Sequence, residues 1–177
     1  MNIGIFCSAN ENINPEYFRL TAELGERLAR DGHTIVYGGT NAGLMECVAK
    51  AARNAGGRTI GVIPSMVERN GRASDNVDVA IHCDTLADRK ELMMARSDAM
   101  IALPGGIGTL DEVFTVAASA TIGYHRKPVI LYNMCGFWDS LIACLDDLQA
   151  KGVIRGDYRA HLKTANSLEE LVALLGI

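Results

Sequence analysis

Seven short apolar runs recur along this chain of 177 residues, each separated from the next by a stretch whose apolar residues repeat at helical spacing. That alternation leaves few folds open. A strand joined to the next through a helix pairs with it in parallel, whereas antiparallel neighbours need only a tight hairpin. Runs such as Ala99-Met100-Ile101-Ala102-Leu103 are apolar at every position, so both faces of their sheet must be covered. The pattern predicts strands over 2–7, 33–37, 58–63, 78–83, 99–103, 128–132 and 162–165. Helices are predicted over 15–30, 43–55, 86–97, 109–121, 137–150 and 167–175. Asn14 as N-cap, Pro15 at the first helical position and Gly32 past the end bound the first of these. The expected fold is α/β: a single-domain, doubly wound, mainly parallel sheet of Rossmann-like kind, with helices on both faces, spanning 1–177. With 49% hydrophobic residues, a chain of this size supports one sizeable core. Ser65 to Val77, carrying Glu68, Arg69, Arg72 and Asp75, reads as the one long polar connection, either a solvated loop or one that covers a substrate.

Within that frame the glycine turns fall at the ends of strands. Pro104-Gly105-Gly106-Ile107-Gly108-Thr109 follows the fifth run and opens a helix, and Gly38-Gly39-Thr40-Asn41-Ala42-Gly43 follows the second. Glycines at 105, 106 and 108 are expected to allow positive φ and close approach to a ligand, and the N–H groups and dipole of the helix start favour an anion. A phosphate is the expected guest. Ligands of open α/β sheets bind beyond the carboxyl ends of the strands, so both turns, with Ser8 after the first strand, are expected to face one crevice. Glu112 lies one helical turn beyond the phosphate turn, where a carboxylate would meet whatever the phosphate is attached to.

Several classes are disfavoured by what is missing. The formal net charge is −4 and the 17 basic residues are scattered, unlike the basic footprint of a nucleic-acid binder. No apolar run approaches 18 residues and no basic, apolar leader opens the chain, so neither membrane span nor signal peptide is expected. The five cysteines, without C-x-x-C spacing, read as reduced thiols of a cytosolic protein. The first strand is followed by Ser8-Ala9-Asn10-Glu11, not by G-x-G-x-x-G. Gly38 and Gly43 have P-loop spacing, but Leu44-Met45 stand where lysine and serine or threonine would hold phosphate and magnesium. His33, His82, His125 and His161 lack zinc-site spacing. No metal and no cofactor is therefore expected.

Taken together, P-G-G-x-G-T-x-x-E at 104–112, R-K-x-x-M at Arg89 to Met93 and Y-G-G-x-x-x-G-L-M at Tyr37 to Met45 resemble the Lonely Guy family, Rossmann-like phosphoribohydrolases formerly mislabelled as lysine decarboxylases. The similarity extends to Gly123-Tyr124-His125-Arg126-Lys127-Pro128-Val129 and Asn133 to Trp138. Thr40 and Glu46 stand where many members have glycine, and Leu86-Ala87-Asp88 where Met-His-Glu is common. The resemblance implies hydrolysis of the N-glycosidic bond of a purine nucleoside 5′-monophosphate, AMP or a cytokinin riboside 5′-monophosphate, by a homodimer, and the apolar segments Leu92-Met93-Met94 and Val113 to Ile122 are the expected source of its helix contacts. It implies catalytic roles for Glu112 and Arg89. It also implies substrate or phosphate contacts from Gly105, Gly106, Ile107, Gly108, Thr109, Gly39, Thr40, Lys90 and Ser8.

The same residues admit plainer readings. Thr109-Leu110-Asp111-Glu112 is also a T-x-x-E capping box, in which Glu112 would fold back on the threonine N–H. Ser167-Leu168-Glu169-Glu170 carries that pattern with no glycine turn and serves as an internal control. Arg89 has Asp88 and Glu91 beside it as surface ion-pair partners, and Arg96, two turns on, is a weaker candidate. A non-catalytic nucleotide sensor or carrier would use the same phosphate turn, since fold and anion nest alone do not establish chemistry.

Overall fold

In the computed structural model, which describes residues 1–177, all seven runs are strands: β1 (Asn2–Phe6), β2 (Thr34–Tyr37), β3 (Arg58–Pro64), β4 (Val79–Cys83), β5 (Ala99–Ala102), β6 (Val129–Tyr132) and β7 (Leu162–Ala165). They form one sheet, every pair parallel, in the order β4-β3-β2-β1-β5-β6-β7. The helices are α1 (Pro15–Arg30), α2 (Gly43–Asn54), α3 (Ser65–Arg69), α4 (Leu86–Arg96), α5 (Ile107–Thr121), α6 (Asp139–Ala150) and α7 (Leu168–Leu175).

The strands distribute their side chains by strict alternation. Along β5 and its exit, Ala99, Ile101 and Leu103 enter a core shared with α1, α2 and α7, while Met100 and Ala102 enter a second core shared with α4 and α5. Both faces are thus sealed, which is why the central runs are apolar throughout. Ile101 and Leu103 are wholly inaccessible, and truncating such a side chain to alanine costs about 2–5 kcal/mol. Helix α1 starts as its sequence predicts: Asn14 Oδ1 accepts the Glu16 N–H at 3.0 Å and Pro15 occupies the first turn.

The strand order places the site. From β1 the chain proceeds outward through β2, β3 and β4, then crosses back so that β5 docks on the other side of β1. The turns leaving β1 and β5 therefore diverge around a crevice at their carboxyl ends. The Ser8 N–H donates to the Pro104 carbonyl at 3.0 Å and ties the floors of those turns together.

Two expectations are corrected. The connection 65–77 is not a plain loop: residues 65–69 form α3, and the segment after it is stitched to the first glycine turn. There the Asn41 N–H donates to the Arg72 carbonyl at 2.9 Å, the Ser74 N–H donates to the Gly39 carbonyl at 2.8 Å, and Thr40 bridges Ala73. Helix α5 begins at Ile107, not at 109, because the backbone turns helical as soon as it leaves Gly106.

Candidate active site

The start of α5 carries exposed donors. Gly106 is the N-cap, and the first internal bond runs from the Leu110 N–H to the Gly106 carbonyl at 3.0 Å. The N–H groups of Ile107, Gly108 and Thr109 find no acceptor within the chain and carry the positive end of the helix dipole. Ile107 turns its side chain outward, 88% exposed, leaving only its backbone to the turn. The glycines here serve proximity, not positive φ, which corrects the sequence expectation. A Cβ on Gly105 would collide with Thr109 Oγ1, whereas one on Gly106 or Gly108 would project into open space. Positive φ belongs to the other turn, at Gly39 (69°) and Gly43 (58°), where side chains would run into Ile63 and the Ala9 backbone.

Arg89 and Glu112 arrive from separate helices. Thr85 and Asp88 form a reciprocal capping box at the start of α4, with the Thr85 N–H donating to Asp88 Oδ2 at 3.0 Å and the Asp88 N–H donating to Thr85 Oγ1 at 3.1 Å. This consumes Asp88 and fixes the turn that presents Arg89. The arginine reaches across to α5, where its Nη2 donates to Glu112 Oε1. The pair is sunk in the crevice floor, with side chains 12% and 4% exposed. The capping reading of Glu112 fails for a simple reason: with the helix starting at Ile107, Thr109 lies inside the first turn and Glu112 a turn deeper. The control behaves as a cap, since Ser167 Oγ accepts the Glu170 N–H at 3.1 Å. Burial raises the Glu112 carboxyl above the ordinary carboxylate value, and the Arg89 guanidinium pulls it back part of the way. Cys7, at the end of β1, lies beside this pair; burial, and secondarily the Glu112 charge, pushes its thiol well up and keeps it from nucleophilic duty.

Three connected hollows line the crevice. The central one, about 220 Å³, is walled by Cys7, Ser8, Arg89, Gly106, Thr109 and Glu112 among others. An outer lobe of about 500 Å³ shares Arg89, Ala9 and Met45 with it and adds Thr40, Met66, Val67, Asn70, Arg72 and Asp84. On the other side a lobe of about 270 Å³ runs from Ser8, Gly105 and Gly106 to Tyr17 and Phe137. Gly39 lies buried beneath the outer lobe, shaping the turn. Lys90 points to Asp111, its Nζ 2.7 and 2.8 Å from the two carboxylate oxygens, and lines none of the hollows. Arg96 is at the opposite end of the sheet, where its carbonyl accepts from Asn2 Nδ2. Sequence reasoning missed Cys7 and Asn70, which carry no motif, Met45, which ends the Y-G-G-x-x-x-G-L-M motif but reads as core by its helical spacing, and the Thr85 cap, for which T-x-x-D was available as a signal. No three His, Cys, Asp or Glu side chains converge on a common point.

A parallel sheet with a donor-bearing helix start at its switch point and a buried carboxylate–guanidinium pair beside it defines the chain as a Rossmann-like α/β protein with a charged crevice at the carboxyl ends of its strands. It belongs to the Lonely Guy family: residues 45–175 match the family model described as possible lysine decarboxylase. The chain is 40% identical over 168 residues, 95% of its length and 89% of the relative's, to the cytokinin riboside 5′-monophosphate phosphoribohydrolase of Mycobacterium tuberculosis. It is 39% identical over 170 residues, 96% of the chain and 75% of the relative, to a probable enzyme of the same name from Oryza sativa subsp. japonica. Among solved structures, the molybdenum cofactor binding protein of Rippkaea orientalis superposes with a TM-score of 0.76 at 31% identity, covering 99% of this chain and 94% of that one.

Proposed function

We propose that the chain hydrolyses the N-glycosidic bond of a purine nucleoside 5′-monophosphate, giving free base and ribose 5-phosphate. The observation that carries this reading is the buried Arg89–Glu112 pair set one helical turn from three unpaired N–H groups. The 5′-phosphate sits on the N–H groups of Ile107, Gly108 and Thr109, which brings the ribose over Glu112. The bond from C1′ to the base nitrogen breaks with its electron pair leaving on the base, and a water oxygen bonds to C1′. The proton the water loses balances the one the base takes up. Positive charge builds at C1′ and the ring oxygen on the way, by analogy with the oxocarbenium-like transition state of O-glycosides. An ionised Glu112, shielded from solvent, opposes that charge, and fixed charges of this kind contribute about 10²–10³ in rate. Arg89 aims the carboxylate and favours its ionised form against the cost of burial. Metal or redox chemistry has no step to perform in this scheme.

AMP and its N6-substituted cytokinin analogues are the substrates this reading favours, and the cytoplasm its setting; no helix is long and apolar enough to cross a membrane. The functional unit is a homodimer. Met93 is consumed by the core, with Leu92 and Met94 packed against it, but α5 leaves Phe114 and Ala118 on the surface at an apolar hollow of about 340 Å³ bounded by Leu148 and Ile154, and Ile122 just past its end is exposed as well. A two-fold axis through such a face would bury it against itself. The second reading, a carrier without chemistry, is favoured by the likeness to the Rippkaea orientalis protein. Incubation of the purified protein with a panel of nucleoside 5′-monophosphates and with adenosine, followed by separation of free base, decides between them. Base release from AMP far exceeding that from adenosine is expected, because the phosphate anchor acts in the transition state. Tight nucleotide binding with no base released would establish the carrier instead.

A further inference from the structure

Residues 70–77 form a strap over the outer lobe, held by a device that Glu46 provides. Glu46 lies in the first turn of α2, behind the first glycine turn. Its Oε2 accepts from Ser74 Oγ and its Oε1 accepts from Asn76 Nδ2 at 2.7 Å, while Ser74 Oγ also accepts the Asn76 N–H at 3.0 Å. Ser74 is buried, and the cluster sits against the hydroxyl end of buried Tyr37, so lifting the strap breaks both hydrogen bonds of the Glu46 carboxylate. A few residues earlier the backbone of Arg72 is fixed on both sides. Its N–H donates to the Val67 carbonyl at 3.0 Å and its carbonyl accepts from Asn41. The Arg72 guanidinium, by contrast, has no hydrogen-bond or ion-pair partner in the chain, and Arg72 lines the outer lobe together with Arg89.

The order of the hollows assigns that lobe its guest. If the phosphate sits on α5 and the glycosidic carbon lies at Arg89 and Glu112, the base must continue past Arg89. Only the outer lobe shares Arg89 with the central hollow; the lobe lined by Tyr17 and Phe137 touches neither charged residue. Resting on the hydrolase reading above, we propose that Arg72 is a base-binding residue and that Glu46 is the positioning residue that sets it in place through Ser74 and Asn76. The guanidinium is a pure donor with a flat face, suited to ring acceptors of a purine and to stacking on it. Arg89 stays committed to Glu112, and Arg72 holds the base equally before and during bond breaking, so its loss is read in KM and not in kcat.

The test compares R72A, E46A, E46Q and the double variant E46A/R72A for steady-state cleavage of AMP, and for binding of AMP and of ribose 5-phosphate by calorimetry. R72A is expected to raise KM for AMP about tenfold, the scale of one lost charge-assisted contact, with kcat within about twofold. E46A should do the same, E46Q should retain most of the affinity because its amide oxygen still accepts from Asn76, and the double variant should be no worse than R72A. Affinity for ribose 5-phosphate, which lacks a base, should not move in any of them. Additive losses in the double variant, an R72A with unchanged KM, or equal weakening of both ligands would overturn the assignment. If E46A does not fold, E46Q and the surface variant R72A carry the same comparison. Should the wild type release no base from any nucleotide, the hydrolase reading falls by itself, and the strap is judged on calorimetry alone, where R72A must still weaken AMP and spare ribose 5-phosphate.

Discussion

Replacing Glu112 by glutamine removes a charge and almost nothing else. The side chain is 4% exposed, it caps no N–H, and its one partner is the Arg89 guanidinium, which an amide oxygen still satisfies. Two effects on stability oppose each other: the substitution relieves the cost of holding a carboxylate away from water, and it leaves Arg89 without a counter-charge. Their difference is expected to stay below about 2 kcal/mol, well short of the 3–5 kcal/mol for stripping a buried charge of every partner. In a protein of this length that is a melting shift of at most about 8 °C. The effect on catalysis has no such cancellation. Loss of a fixed charge facing the developing oxocarbenium removes about 2.7–4 kcal/mol of transition-state stabilisation, so kcat should fall by about 10²–10³. Chromatographic measurement of free base against time, paired with thermal denaturation, reads both quantities. Glu170→Gln is the matched control: its carboxylate accepts the Asn166 N–H at 2.7 Å at an exposed cap, so it should lose a few tenths of a kcal/mol and no activity. A folded Glu112→Gln protein with near-wild-type kcat would refute the catalytic reasoning outright.

Gly106→Ala should fold normally, since φ there is −98° and the added methyl enters open space, yet weaken ribose 5-phosphate binding by about tenfold or more by filling the anion's seat; unchanged affinity would move the phosphate elsewhere. The acid limb of kcat/KM should lie above the ordinary glutamate value of about 4.3, because burial raises the Glu112 carboxyl and the ionised form is the active one; a profile flat down to that value would contradict it. The same raised value means the folded state holds its proton longer than the unfolded state. Wild-type stability should therefore decline relative to Glu112→Gln as pH climbs from the ordinary carboxylate range through the raised one, a difference that chemical denaturation at several pH values measures. Phe114→Arg, on the exposed face of α5, should convert a dimer to monomer in light scattering without lowering the melting temperature of the monomer; an unaltered mass would place the contact on another face.

All seven strands and six of the helices were legible because their signals are local: apolar runs bounded by Gly, Pro and Asn, and helices with apolar residues at helical spacing, α1, α4 and α7 also with side-chain caps. What escaped depends on contacts distant in sequence. Helix α3 is only five residues long, and its polar stretch has no periodicity to read. The onset of α5 shifted by two residues because Gly106, an N-cap with no side chain, leaves no mark. Glu46 stands out in the sequence only as an acid where many family members have glycine, and its bonds to Ser74 and Asn76, 28 and 30 residues away, exist only once β3 has brought the strap over α2. Arg89 and Glu112 stood out through their motifs, but their mutual pairing, which excludes both the capping box and the surface ion pair, needed the crossing of α4 and α5.

The crevice is divided in a way that bears on how such a protein can diverge. The donor turn and the charged pair all lie between Arg89 and Glu112, on one short length of chain. The residues that close the outer lobe, Thr40, Met66, Val67, Asn70, Arg72 and Asp84, all precede them. Substitutions can therefore accumulate in the earlier segment and change the diet of the protein while its bond-breaking apparatus is inherited intact. Exchange of residues 40–84 between two relatives, which takes in Thr40, Glu46, the strap and Asp84, is the graft that would carry one's taste in bases into the other.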